Sequence, residues 1–342
     1  MRRITIRIPI GVATCTTLVA ILMAMPYSSA DQSSIVYQAP RNGLGQPDLQ
    51  GVWNFSSDIP LERPKEFIEK KFLTPEDVAT LNANREKMFD TALNAGVGVH
   101  NKFWLDYQSH VENLRSSLIT YPENGKMPEL QDGILRINPA FGIGRDLDLG
   151  HPVRFLFGGI GLNGPEDRGL FERCIIGITV PILPNGDNNY LRIVQTKDYV
   201  VLMIEHIHDA RIIPLTDMQP LDDRVRQWLG ISRGRWEGET LVIETRNFTD
   251  KTQSFYDAGT AYDKVVVEKI TRVSDTQLHY TAEVTDPATF KDRVEILLPM
   301  AKYDGDVFEF ACHEGNYSMH NSLAGERKLE LDVNAAATGA NK

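Results

Sequence analysis

Residues 205–213 read EHIHDARII, two histidines, two acids and an arginine in a run otherwise composed like a buried strand. In an extended chain successive side chains point to opposite faces. Glu205, Ile207, Asp209, Arg211 and Ile213 then share one face, and His206, His208, Ala210 and Ile212 the other. The two faces support different chemistries. On the first, a carboxylate with a raised pKa acts as a base while Arg211 holds developing negative charge; a salt-bridged strand end uses the same residues. On the second, His206 and His208 form a His-x-His pair able to offer two imidazoles to one metal, with His313, Glu314 or His320 completing the shell. A bulge near His208 would bring His208 and Asp209 together, which makes His208 the preferred acid–base residue.

Further candidates lie downstream. In Cys312-His313-Glu314-Gly315-Asn316-Tyr317, adjacent Cys312 and His313 diverge on a strand and cannot form a nucleophile–base pair. His313 and Tyr317 are read either as lining a cavity mouth or as a polar strand end. Trp236 either stacks on a ligand or packs at a hairpin end beside the Gly238 turn. Glu268 interrupts the apolar run 265–270 in phase with Val266 and Ile270, so it is expected to point into the same lumen. No Gly-rich phosphate loop, G-x-S-x-G elbow, H-E-x-x-H pair or C-x-x-C-H motif occurs, so neither an organic cofactor nor a serine-hydrolase framework is expected.

Positioning these residues requires strands. Residues 50–55, 117–121, 190–196, 199–213, 241–248, 264–273, 277–285, 294–301 and 307–311 are β-rich runs, most separated by short polar turns. Such a series predicts antiparallel hairpins that must close their edges: a mainly β, lipocalin-like barrel with a few helical and irregular insertions. Thr74-Pro75-Glu76-Asp77 opens a helix that Gly96 stops, and a brief helix is predicted over 221–228. The expected organisation is a signal peptide (1–30), a flexible arm (31–48), a single barrel domain (49–330) with an insertion over about 74–170, and a disordered tail (331–342).

The first 30 residues carry Arg2, Arg3 and Arg7, an apolar stretch, and Ser28-Ser29-Ala30, the pattern of a secretory signal. Its removal takes three arginines and no acids, moving the formal charge from −10 to −13. Such an acidic chain is a poor partner for nucleic acid or anionic membranes, and no later segment is apolar enough to span a bilayer. A periplasmic or secreted location follows, and in that oxidising setting Cys174 and Cys312 are expected either to pair or to remain two buried thiols.

PDLQGVW (47–53), ERC (172–174), HDARII (208–213), SRGRWEGETLV (232–242), RNFTD (246–250), TDPATF (285–290) and ACHEGNY (311–317) together resemble a family of secreted bacterial proteins that carries no assigned activity. The resemblance implies secretion and one continuous domain, and it lends no catalytic role. An apolar barrel with a few convergent polar groups suits a small hydrophobic ligand. The function this suggests is cofactor-independent acid–base catalysis of the isomerase, cyclase or lyase type, on an aromatic, terpenoid, polyketide or steroid-like compound. His208 with Glu205 or Asp209 would move protons beside Arg211. A non-catalytic carrier and a metal-dependent hydrolase built on His206, His208 and His313 are the alternatives.

Overall fold

Alternation of period two dominates the second half of the chain, and the computed structural model turns it into a barrel. Residues 37–94, 114–138, 154–177, 179–216 and 221–339 are described. Ten strands form one sheet: β1 (Gly51–Asn54), β2 (Ile119–Tyr121), β3 (Tyr190–Gln195), β4 (Tyr199–Ile204), β5 (Ala210–Pro214), β6 (Ile231–Glu237), β7 (Thr240–Arg246), β8 (Val265–Arg272), β9 (Gln277–Thr285) and β10 (Val294–Tyr303). Their order, β5-β4-β3-β1-β10-β9-β8-β7-β6, is chain order read around a ring once β2, an extra strand on β10, is set aside. Every ladder is antiparallel.

Nine strands cannot alternate around a closed ring, so one neighbouring pair must run parallel. That pair is β5 and β6, where no ladder forms among the described residues and side chains close the gap. Arg211 donates to Ser232 Oγ at 3.1 Å. Two residues on, Ile213 lies over Gly234, where an added Cβ would stand 2.9 Å from Ile213 Cγ2 and 3.0 Å from Leu215 Cδ2. Both residue numbers rise together, as a parallel seam requires, and the absence of a side chain at Gly234 allows the close approach.

The lumen is filled. Trp53, Leu191, Leu202, Leu241, Ile270 and Leu278 are completely buried, and burying side chains of this size stabilises by about 1.5–3 kcal/mol each. One mouth is sealed by the segment before β1. Gln195 accepts from Leu49 N (2.7 Å) and donates to Pro47 O (3.0 Å). Arg272 donates to Asp48 O (2.9 Å), and Trp53 Nε1 to Leu49 O (2.9 Å). Residues 37–48, expected as a flexible arm, are thus tied down by backbone groups that the sequence does not advertise. The other mouth is covered by residues 154–177 and 179–186 and by the segment between β7 and β8.

Three local expectations change. Residues 221–228 form turns, not a helix: the Asp222 carboxylate accepts from Arg224 N (2.9 Å), competing with helical bonding, and Gln227 bridges to Phe248. Residues 307–311 alternate like a strand but join no ladder, because β9 and β1 already occupy both edges of β10. Residues 331–339, expected as a disordered tail, continue a helix, α2 (Tyr317–Gly339), rich in the good helix formers Ala, Leu, Glu and Lys. The helix opened at Thr74 is α1 (Pro75–Asn94), where Asp77 N donates to Thr74 Oγ1 and Thr74 N to Asp77 Oδ2. No helix among the described residues is long and apolar enough to cross a membrane.

Cys174 and Cys312 form a disulfide with their Cα atoms 5.8 Å apart. It joins the insertion over the open mouth to the segment that follows β10. Closing a loop of 138 residues stabilises by about 4–5 kcal/mol on the chain-entropy account.

Candidate functional site

The EHIHDARII run is not one strand. β4 stops at Ile204, residues 206–208 make a single tight turn, and β5 begins at Ala210. Ile204 N donates to Asp209 O at 2.8 Å across this corner. Ile207 takes φ +59, a costly conformation for a β-branched residue. The strict two-face alternation therefore fails: Glu205, His206 and Ile207 are all buried, and alternation resumes with Arg211 and Ile213 inside and Ile212 exposed.

Each residue of the run has its own surroundings. His206 is buried, stacked on Phe171 at 4.6 Å between ring centroids and tilted against Phe310 at 5.2 Å. Its Nε2 lies 3.0 Å from Asn185 Nδ2, and burial pulls the imidazole down to about 4. Asp209 accepts from Gly177 N at 3.3 Å, and Glu205 is buried at the strand end. The side chain of His208 lies outside the described residues. Gly177 has no room for a Cβ, which would meet His206 Nδ1 at 2.8 Å. The corner thus braces the backbone of 177 and the side chain of Asn185 from behind.

Arg211 and Glu268, both singled out by sequence, meet inside the barrel. Arg211 donates to Glu268 Oε1 (2.9 Å) and Oε2 (2.5 Å), and also to Ser232 Oγ and Thr245 Oγ1, each at 3.1 Å. Tyr280 Oη donates to Glu268 Oε1 at 2.8 Å, with burial pushing that phenol well above its usual pKa. The backbone of 179–182 caps this layer: Thr179 O accepts from Arg211 (3.4 Å) and Ile182 N donates to Tyr280 Oη (2.8 Å).

Above the cap is a cavity of about 520 Å³, within the range typical of small-molecule sites. Ile59, Leu118, Phe157, Leu183, Trp228 and Phe248 give it apolar walls. Lys264, one residue before β8 and in phase with Val266 and Glu268, is its buried cation, only 6% exposed. Its Nζ donates to Val180 O at a long 3.4 Å and sits 4.2 Å over the Phe248 ring. Burial lowers its pKa to about 7, against partial opposition from Asp286 and Glu268. Asp257, also on the wall, is raised by burial although Asn138 Nδ2 donates to its Oδ1 at 2.9 Å. Four buried oxygens of wall residues, Asn138 Oδ1, Thr179 Oγ1, Thr252 Oγ1 and Ser254 Oγ, have no hydrogen-bond partner among the described residues.

The remaining sequence candidates lie elsewhere. Arg211, Glu268, Trp236, His313 and Tyr317 do not line this cavity. Trp236 packs half-buried against the core; His313 is exposed, and Tyr317 is 73% exposed at the start of α2. Among the described residues no three His, Cys, Asp or Glu side chains gather as a metal site. Lys264 was legible in principle, since its period-two phase with Glu268 marks it as inward. The loop residues Thr252, Ser254 and Asp257 carry no periodic signal. Comparison with models of protein families, with curated proteins and with solved structures finds no match.

Proposed function

We propose that the protein is a cofactor-independent enzyme that moves protons on a small, largely apolar molecule held in the open-mouth cavity, outside the cytoplasm. The observation that carries this reading is Lys264, a buried amine facing a ligand-sized hollow with a single long hydrogen bond. A pKa of about 7 makes a large share of the amine neutral, and so able to act as a base, near neutral pH. When it gains a proton, the Phe248 ring and the Val180 carbonyl stabilise the ammonium. Asp257, held above the ordinary carboxyl range, is the partner that returns a proton. Lys264 and Asp257 thus take the acid–base role that the sequence suggests for His208, Glu205 and Asp209, whose corner shapes the wall from behind. The N-terminal basic–apolar–small pattern and the disulfide support an oxidising compartment.

The test begins with the small molecule that copurifies with the native protein, identified by mass spectrometry. Incubated with the purified protein, it should be converted. Lys264→Gln should lower turnover by about 100-fold or more, the contribution of a positioned base. Recovery of the molecule unaltered after long incubation would instead support a carrier.

A further inference from the structure

We propose that the cavity accepts an aldehyde or ketone on an apolar body and that Lys264 bonds to its carbonyl carbon as an imine. This rests on the cavity being the reaction site and names its substrate class. Two features of the geometry converge on it. The first is placement: Lys264 lies one residue before β8, in phase with its inward residues, is buried, and is among the residues that line the cavity. The second is the lack of a close ionic partner. Four residues along the same face, Glu268 is fully occupied by Arg211 and Tyr280, and no carboxylate among the described residues lies within salt-bridge distance of Lys264 Nζ. An amine in apolar surroundings with a lowered pKa is the recognised way to make a lysine nucleophilic.

The step balances without redox chemistry. The amine lone pair forms the C–N bond, and the carbonyl π pair moves onto oxygen, which takes a proton to give a carbinolamine. The C–O bond then breaks, and the oxygen leaves as one water carrying the two hydrogens lost from nitrogen. Asp257 relays a proton and ends in its starting state. The groups that set the charge on Lys264 are Asp286 from the β9–β10 connection, Glu268 on β8, Arg211 on β5, the Phe248 ring after β7 and the Val180 carbonyl.

The probe is cinnamaldehyde with sodium cyanoborohydride, applied to the full chain at pH 7 and followed by peptide mapping. An exposed lysine with a pKa near 10.4 is neutral only about once in 2,500 at this pH. Adduct at Lys264 should form at least about ten-fold faster than at any exposed lysine, rising through half-maximum near pH 7. Cinnamyl alcohol, which fills the cavity without an electrophile, should suppress that adduct and quench Trp228 on the wall. Lys264→Met should abolish the fast phase while surface labelling continues. Adduct spread over exposed lysines, with Lys264 unmodified, would overturn the proposal. If cinnamyl alcohol still quenches Trp228 in that case, the proton-transfer reading stands and only the covalent step falls. If the alcohol neither binds nor protects, the cavity itself is removed as the site.

Discussion

Two ionisable residues sit four positions apart in the same inward phase, Glu268 on β8 and Lys264 one residue before it, and the barrel treats them differently. Glu268 is completely buried and saturated: a two-pronged ion pair with Arg211, a phenol from Tyr280, and a partner arginine that also reaches Ser232, Thr245 and the Thr179 carbonyl. Lys264 has one long bond, an aromatic face and an open cavity. A buried charge is tolerated when it is paired and hydrogen-bonded. The Glu268 layer meets that condition within the protein and therefore reads as architecture. At Lys264 burial works against the charge and lowers the pKa to about 7, beside a hollow. Both sites are buried and polar; they differ in how completely the protein satisfies them.

The largest expected effect breaks the paired site. Arg211→Met strands the Glu268 carboxylate in the core and should destabilise folding by about 3–5 kcal/mol, measured by urea denaturation. Arg211→Met combined with Glu268→Leu should recover most of that loss, because the pair is then replaced by hydrocarbon. Failure of the double variant to recover would give the ion pair a further role, for instance in holding the parallel β5–β6 seam through Ser232.

A second substitution sharpens the contrast from the other side. With a native pKa of about 7 against 10.5 for the free side chain, Lys264 is protonated in both states below pH 7. Between 7 and 10.5 the unfolded chain binds a proton that the native protein lacks, so this residue makes stability rise with pH across that window. Lys264→Met should flatten the rise, changing the pH 7 to pH 10 difference by about 3 kcal/mol, and should raise stability at pH 7 while ligand turnover is lost. An unchanged pH profile would mean that the amine stays charged in the native state.

What the sequence made visible divides along the same line. Period-two alternation is a local signal, so the barrel class, most strands, and the inward phase of Glu268 and Arg211 could be read directly. Their mutual pairing could not, because 57 residues separate them and only ring closure brings β5 beside β6. β6 itself, ISRGRWE, was hidden by its arginines and glycine, which look like a turn, although Ser232 and Gly234 suit the close approach of β5 at the seam. The lumen expected around the EHIHDARII residues is instead packed, and the hollow lies at the mouth, built by segments with no periodicity. Lys264 carries a weaker signal because a lysine at a strand start resembles a solvated turn residue. Its phase with Val266 and Glu268 was the available clue.

The smallest effect concerns the corner behind the cavity wall. His206 is another buried ionisable side chain whose charged form burial disfavours, with a native pKa of about 4 against 6.5. Its ring, however, is stacked on Phe171 and meets Asn185, so it belongs structurally with the satisfied group. As pH falls from 6.5 to about 4 the unfolded chain takes up a proton that the native state refuses, and stability drops through that window. His206→Phe keeps the stack and removes the titration, so the variant should lose about 2 kcal/mol less than the parent protein between pH 6.5 and pH 4.5. It should also leave the Lys264-dependent rise above pH 7 intact, since the two groups sit on different elements. If His206→Phe flattened both limbs, the corner and the cavity amine would be coupled through the segment 177–185, and the division between structural and reactive buried groups would have to be redrawn to include the histidine.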